Sequence, residues 1–182
     1  MKRRDKETVM DGETIERTLV RITHEILERN QGVGDLVLIG IRTGGVYLAE
    51  RIRQKIEQFE KVRIPSGIID IALYRDDFAS ALSRPVVGKT EIPFPLRDKR
   101  VVLVDDVLYT GRTVRAAMDA LIDFGRPQFI QLAVLIDRGH RELPIQADYV
   151  GKKVVTAPQD EVTVLFREVD GQDRVIIQEK IS

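Results

Sequence analysis

The sequence predicts an α/β fold in which a twisted parallel sheet is flanked by helices. Apolar runs of strand length alternate along the chain with stretches of helical periodicity, and this alternation is typical of parallel strands joined by crossover helices. Each apolar run ends in a polar or glycine-rich turn. Because ligands of such folds bind beyond the carboxyl ends of the strands, these turns are the first candidates for a functional site.

Composition indicates a soluble globular protein. The chain has 182 residues, of which 43% are hydrophobic and 32% are charged, so we expect one domain spanning residues 1–182. Cysteine is absent, which excludes disulfides and thiolate metal sites. The formal net charge is zero, so composition gives no support to a nucleic-acid partner.

The chain shows no membrane or secretion signal. No apolar run is long enough to cross a bilayer. The amino-terminal stretch M-K-R-R-D-K-E is charged and lacks the apolar segment of a secretory signal, so a cytoplasmic location is expected.

The amino-terminal third predicts a loose end or added edge over Met1–Met10 and then a helix. Asp11 is a suitable N-cap, an apolar stripe runs from Ile15 to Ile26 at helical spacing, and two glycines at 32 and 34 end the helix. The opposite face carries Arg17, Arg21 and His24 among glutamates. A solvated, ion-paired surface is the simplest interpretation of that face.

A buried strand over Asp35–Ile41 leads into Arg42, Thr43, Gly44 and Gly45, and a helix follows from Val46 to about Phe59. The two glycines would let the backbone approach an anion, and Arg42 supplies positive charge. A Gly-Gly pair also simply ends many strands, so this turn alone is a weak signal.

The third strand is predicted over Ile68–Leu73, and a long polar connection without periodicity follows it. Loops of this length inside a domain are usually functional or disordered. We expect a lid over about 74–96, and a surface hairpin without a role is the alternative.

The central stretch is Val101–Thr113, V-V-L-V-D-D-V-L-Y-T-G-R-T. Four apolar residues predict a strand buried on both faces, and Asp105 and Asp106 follow at its carboxyl end. Thr110–Thr113 is a turn of mostly small residues that opens a helix, the layout of an anion site at a helix N-terminus. The acidic pair would repel a bare phosphate, so it should face hydroxyl groups or a metal ion. A ribose 5-phosphate suits both parts of the site, because its phosphate would bind the Thr110–Thr113 turn and its hydroxyls would donate to Asp105 and Asp106.

The fourth strand is predicted over Phe129–Ile136 and ends in D-R-G-H-R-E-L-P. Asp137 could contact a metal ion or its waters, and Arg138, His140 and Arg141 could face an anion, a base or another chain. A plain surface turn is the alternative. The tail predicts a hairpin around Asp170-Gly171 and belongs to a small C-terminal hood over about 138–182. By topology, the three polar turns after the strands converge on one composite site.

The central stretch resembles the phosphoribosyl diphosphate (PRPP) signature of type I phosphoribosyltransferases. Three further segments resemble the pyrimidine operon attenuation regulators within that family: Arg21–Asn30, Leu73–Asp77 and Asp137–Lys152. The resemblance covers nearly the whole chain. It implies the type I phosphoribosyltransferase fold with a flexible lid loop, and a homodimer or higher homo-oligomer.

The resemblance implies two activities. One is uracil phosphoribosyltransferase, which converts uracil and PRPP to UMP and diphosphate with Mg²⁺. The other is UMP-dependent binding to pyrimidine operon mRNA, which promotes transcription termination.

The implied roles fall on four sets of residues. The expected catalytic residues are Asp105, Asp106, Arg42 and Arg75. PRPP is expected at Arg42, Thr43, Gly44, Asp105, Asp106, Val107, Leu108, Tyr109, Thr110, Gly111, Arg112 and Thr113. The expected metal contacts are Asp105, Asp106 and Asp137. RNA is expected at Arg17, Arg21, His24, His140, Arg141 and Lys152.

Three alternatives remain open at this point. The first is a base-salvage transferase without RNA binding, which suits the zero net charge. The second is an RNA regulator with little catalysis, because the family usually has arginine where Gly44 stands. The third is a phosphorylated receiver domain, which would not need the second glycine-rich turn at Arg42–Gly45.

Overall fold

Eight strands and four helices make up the computed structural model, which describes residues 2–74 and 89–181. In chain order they are β1 (Lys2–Asp11), α1 (Gly12–Asn30), β2 (Leu36–Ile41), α2 (Gly44–Glu60), β3 (Ser66–Ile69), β4 (Arg100–Leu108), α3 (Arg112–Ile122), β5 (Phe129–Asp137), β6 (Tyr149–Lys153), β7 (Asp160–Leu165), α4 (Arg167–Asp170) and β8 (Arg174–Ile181).

The central sheet has five strands in the order β3-β2-β4-β5-β6, and every neighbouring pair is parallel. Side chains alternate between its two faces, as the period of a strand requires. Leu36, Leu38 and Leu135 pack into the core that contains α1 and α2, whereas Val37 and Leu103 pack into the core that contains α3. Both faces are therefore covered, which explains the continuous apolar runs. The predicted fold class is confirmed.

A second sheet of three antiparallel strands has the order β1-β8-β7. The predicted tail hairpin forms its β7-β8 half, and the amino-terminal segment is the edge strand beside β8. The expected hood over about 138–182 is divided between the two sheets, because Tyr149–Lys153 joins the edge of the central sheet instead.

Helix α1 begins as the sequence predicts. The Asp11 side chain accepts a hydrogen bond from the Thr14 amide at 2.8 Å, and Gln31 ends the helix in the left-handed conformation. Among the described residues, no helix combines the length and apolar character needed to cross a bilayer.

Candidate active site

The site lies where the strand order reverses, between β2 and β4. Strands β2 and β3 lead the chain to one side of the sheet, and β4 and β5 lead it to the other. Pairing of β2 with β4 stops at Gly40 and Val104, whereas β4 continues beside β5 as far as Leu108. Strand β4 therefore projects beyond β2, and the acidic pair lies within the strand, not after it as predicted. Ligands of open α/β sheets bind at this kind of switch point.

The turn after β2 is packed directly onto β4. An added Cβ on Gly45 would lie 2.1 Å from the carbonyl oxygen of Val104, and one on Gly44 would lie 2.3 Å from Oδ2 of Asp106. At Gly45 two backbones approach so closely that a side chain would not fit between them. The absence of a side chain at Gly44 leaves the space that the Asp106 carboxyl group occupies. The Arg42–Thr43 peptide bond in this turn is cis.

Asp105 and Asp106 are held by local hydrogen bonds. Oδ1 of Asp105 accepts from the Asp106 amide at 3.0 Å, and Oδ1 of Asp106 accepts from the Val107 amide at 2.8 Å. Asp105 is buried and Asp106 is partly buried. Burial raises the pKa of Asp106 above its ordinary value, although a hydrogen bond with the Asp105 side chain and the one donated by the Val107 amide oppose the shift. The Asp106 carboxylate is thus costly to keep charged without a ligand, which is a frequent property of functional sites.

The turn after β4 lines a cavity of about 330 Å³ formed by Val107–Val114 and Glu142. Gly111 adopts φ +93°, which glycine accommodates without strain, and α3 begins at the next residue. Amide groups at the start of a helix attract an anion. Arg112 Nε donates to Glu142 at 2.6 Å, and the Glu142 amide donates to the Thr110 carbonyl at 2.9 Å. The polar segment after β5 therefore forms one wall of this cavity.

Arg141 and Asp137 bind each other inside that wall. Arg141 donates to Oδ1 of Asp137 at 2.7 Å and to the carbonyl oxygens of Tyr109 and Ile145 at 2.9 and 2.8 Å. The Gly139 amide also donates to Oδ1 of Asp137, at 3.0 Å. Because Oδ1 of Asp137 already accepts these two hydrogen bonds, Oδ2 is the oxygen that would coordinate a metal ion. The contacts of Arg141 hold the wall together, a structural role that the sequence did not reveal.

His140 and Arg138 lie beside Tyr109. The Arg138 guanidinium is 3.8 Å from the centre of the Tyr109 ring, and the His140 ring meets the same ring edge-on. Nε2 of His140 is 2.9 Å from the Thr156 carbonyl oxygen. These contacts connect the anion turn to the segment that precedes β7.

The remaining RNA candidates lie on α1 and β6. Arg21 donates to the carbonyl oxygens of Val150 and Gly151, at 3.2 and 2.7 Å, and so bridges the helix to the strand that carries Lys152. Arg17 is exposed and lies 3.8 Å from Glu13, and the exposed His24 stacks on Phe59 at 4.5 Å.

Two expected features lie partly or wholly outside the described residues. Arg75 belongs to the segment 75–88, as does most of the lid expected over about 74–96. Within the part of the chain that the structure describes, no group of three or more His, Cys, Asp or Glu side chains could hold a metal ion.

Sequence reasoning missed Glu142 and Asp70. Glu142 belongs to the polar cluster after β5, but its residue type alone indicated no role. Asp70 lies 3.8 Å from Nε of Arg42, and only the topology of β2 and β3 brings these residues together. The available signal was a carboxylate inside the apolar run Ile68–Leu73, which the structure places just after the end of β3 at Ile69.

The chain is similar in sequence to proteins of one known class. The family model described as the phosphoribosyl transferase domain matches residues 6–167. The chain is 59% identical over 176 residues to the "Bifunctional protein PyrR" of Pelotomaculum thermopropionicum, covering 97% of both chains. It is 58% identical over 175 residues to the protein of that name from Clostridioides difficile, covering 96% of this chain and 99% of the relative.

The chain therefore belongs to the PyrR proteins of the phosphoribosyltransferase family, as its motifs predicted. A solved structure of the hypoxanthine phosphoribosyltransferase of Trypanosoma cruzi superposes with a TM-score of 0.73 at 18% identity, covering 97% of this chain and 98% of the other. That likeness shows the shared fold.

Proposed function

We propose that the protein is a uracil phosphoribosyltransferase that also binds pyrimidine operon mRNA when UMP is present. The catalytic activity is supported by the position of Asp105 and Asp106 at the switch point. They lie between the two proposed anion-binding turns, Arg42–Gly45 and Thr110–Thr113. The bifunctional name of the relatives supports two activities in one chain.

The geometry suits PRPP in one orientation. The 5-phosphate would lie in the cavity at Thr110–Thr113, where backbone amides and the start of α3 favour an anion. The ribose hydroxyls would donate to Asp105 and Asp106, and the diphosphate would lie at Arg42–Gly45. The Gly44–Asp106 contact brings the sugar and diphosphate subsites next to each other.

The reaction breaks the bond from C1′ to the diphosphate oxygen and forms a bond from C1′ to N1 of uracil, which loses its proton. Positive charge develops on the ribose and negative charge on the leaving group. Asp106 would stabilise the ribose charge, and Arg42, the turn at Thr43–Gly45 and Arg75 would stabilise the leaving group. No side chain needs to act as a nucleophile.

The donor set fits Mg²⁺ held jointly by protein and substrate. Mg²⁺ commonly takes one or two carboxylates and completes its shell with water and substrate phosphates. Asp105 and Asp106 supply that number, and Asp137 could add Oδ2, whereas the described residues hold no larger acidic cluster. Neutralisation of the diphosphate charge is the chemistry that bound Mg²⁺ supplies.

For RNA, we place the contact surface on α1 and β6, with Arg17, Arg21, His24 and Lys152, extended by His140 and Arg141. The Arg21–Gly151 bond fixes these two elements to each other. Cations at the surface bind phosphates, and His24 on Phe59 offers a stacking face for an unpaired base. A homodimer or a larger homo-oligomer would enlarge this surface.

Turnover with a panel of bases and an RNA gel shift with and without UMP test both halves together. We expect product only with uracil, and an RNA shift that strengthens with UMP. Asp105→Asn combined with Asp106→Asn should abolish turnover, because the ribose contacts are lost.

Other results would select the alternatives. Turnover without an RNA shift indicates a salvage enzyme, and an RNA shift without turnover indicates a regulator alone. Near-normal UMP synthesis by the double variant would refute the role of the acidic pair.

A further inference from the structure

Arg42 is the cation of the proposed diphosphate subsite, and its guanidinium is already in contact with the protein. Nη2 donates to the Lys89 carbonyl oxygen at 3.0 Å. Nε lies 3.8 Å from Oδ2 of Asp70. Within the described residues this buried Nε makes no hydrogen bond. The Asp70 carboxylate is the described anionic group that lies within 4.0 Å of it.

Asp70 is well placed to orient Arg42. It directly follows β3, and the Arg42 amide donates to the Ile69 carbonyl oxygen at 3.0 Å, which fixes the two backbones to each other. Oδ1 of Asp70 accepts from the Ala72 amide at 2.9 Å, and the Asp70 amide donates to Thr90 Oγ1 at 2.9 Å. One carboxylate oxygen thus fixes the side chain while the other faces Arg42. The Asp70 side chain is 9% exposed and the Arg42 side chain is 34% exposed, so solvent reaches the pair from the arginine side and screens it in part.

We propose that Asp70 is a positioning residue that aims the Arg42 guanidinium at the diphosphate group of the substrate. The inference rests on the function proposed for the Arg42–Gly45 turn. Residues that orient the ligands of a metal ion change its affinity by about tenfold or more when they are replaced, without touching the metal. We expect an effect of the same order for a residue that orients an anion-binding arginine. Asp70 itself lies outside the three polar turns that are proposed to surround PRPP.

A purely local role predicts a different result. If Asp70 only caps the strand end through the Ala72 amide, Asn would preserve that bond, because its side-chain oxygen accepts equally. If only its charge mattered, removing a negative charge beside Arg42 would strengthen anion binding. Positioning predicts weaker binding, so the sign of the change separates these explanations.

The experiment is calorimetric titration of inorganic diphosphate and, separately, of UMP into wild type, Asp70→Asn and Arg42→Ala. In the proposed site UMP would occupy the phosphate turn and the acidic pair, and it carries no diphosphate. We expect Asp70→Asn to weaken diphosphate binding about tenfold and to leave UMP binding within about twofold of wild type. In the Arg42→Ala background, Asp70→Asn should have no further effect on diphosphate binding.

Asp173→Asn is the matched control, because it also removes a mostly buried carboxylate that pairs with an arginine, at 2.7 Å from Arg51. It should leave both affinities unchanged. Unchanged or tighter diphosphate binding by Asp70→Asn, or an equal loss for UMP, would overturn the positioning role while the proposed function stands. A wild-type protein that bound neither ligand would overturn both.

Discussion

At the scale of single residues, Asp106 illustrates how the site is kept ready for a ligand at a cost in stability. Its carboxyl group fills the space that Gly44 leaves, and burial raises its pKa. A carboxyl group with a raised pKa in the folded state binds protons more tightly there than in the unfolded chain. The stabilisation that comes from this tighter proton binding is therefore fully present below the pKa of the unfolded chain. It is lost as the pH rises through the pKa of the folded state.

This predicts that Asp106→Asn stabilises the ligand-free protein. Asn keeps the bond from the Val107 amide but carries no charge to desolvate. We expect a melting temperature above that of wild type at pH 8 and a smaller difference at pH 4. Asp119→Asn, at an exposed carboxylate on α3, is the control and should change stability by less than about 0.5 kcal/mol. A lower melting temperature for Asp106→Asn at pH 8 would contradict the proposed cost of this charge.

At the scale of elements, Arg51 joins helix α2 to helix α4 and to the turn that precedes β8 of the second sheet. Arg51 on α2 donates to Glu168 at 2.6 Å and to Asp173 at 2.7 Å, and it lies 5.7 Å from the centre of the Phe166 ring. Its side chain is 6% exposed. The hydrogen bond from Arg51 lowers the pKa of Glu168. Burial would raise the pKa of Asp173, but the bonds from Arg51 and Arg167 bring it below its ordinary value.

Arg51→Met should therefore destabilise the fold by about 3 kcal/mol at pH 7, because it leaves a buried carboxylate without its partner. Arg53→Met is a matched control, since Arg53 is 8% exposed on the same helix but its ion pairs within the described chain are with its helical neighbours Glu50 and Glu57. It should cost less than about 1 kcal/mol. Urea unfolding measures both values.

The pH dependence gives a second check. Carboxylates with a lowered folded pKa stabilise the fold above the unfolded pKa, and this contribution is lost as the pH falls through the folded value. The difference between wild type and Arg51→Met should shrink below about pH 4. Equal losses for the two arginine variants would mean that Arg51 does not anchor the second sheet.

Elements whose apolar residues recur with one clear helical or strand spacing were predictable from the sequence. Elements that depend on pairing with a strand distant in the sequence were not. Asp11 and the Ile15–Ile26 stripe defined α1 because caps and helical spacing are local signals. Strand β6 escaped prediction because Tyr149–Lys153 has few apolar residues, and β5 fixes it as an edge strand. The extension of β4 through the acidic pair likewise follows from its pairing with β5.

The same distinction applies to the site. Asp105, Asp106 and Thr110–Thr113 are close together along the chain, so their pattern predicted an anion site beside an acidic pair. Asp70 and Glu142 join the site from other segments, and only strand order brings them close. The structural contacts of Arg141 depend on a turn whose shape no sequence period specifies.

At the scale of the whole molecule, the two proposed activities use different surfaces. The proposed nucleotide site lies at the carboxyl ends of β2, β4 and β5, whereas the proposed RNA surface is centred on α1 and β6 at the sheet edge and extends to His140 and Arg141. The loop after β5 connects the two surfaces, because it forms a wall of the anion cavity and then leads into β6. UMP binding could change RNA affinity through that loop.

Arg17→Ala should weaken UMP-dependent RNA binding and reduce its salt dependence by about one phosphate contact, with little effect on UMP synthesis. Arg115→Ala is a matched control: both arginines are exposed on a helix near an acidic residue four positions away, at 3.8 Å for Arg17 and 3.6 Å for Arg115. Filter-binding titrations at several salt concentrations measure the effect. Equal RNA affinities for the two variants would argue against the α1 surface.

The most direct measurement is a crystal structure with UMP bound. We expect its phosphate on the backbone amides of Thr110–Thr113 and its ribose hydroxyls on Asp105 and Asp106. A phosphate bound elsewhere, with both carboxylates turned away from the sugar, would contradict the proposed active site.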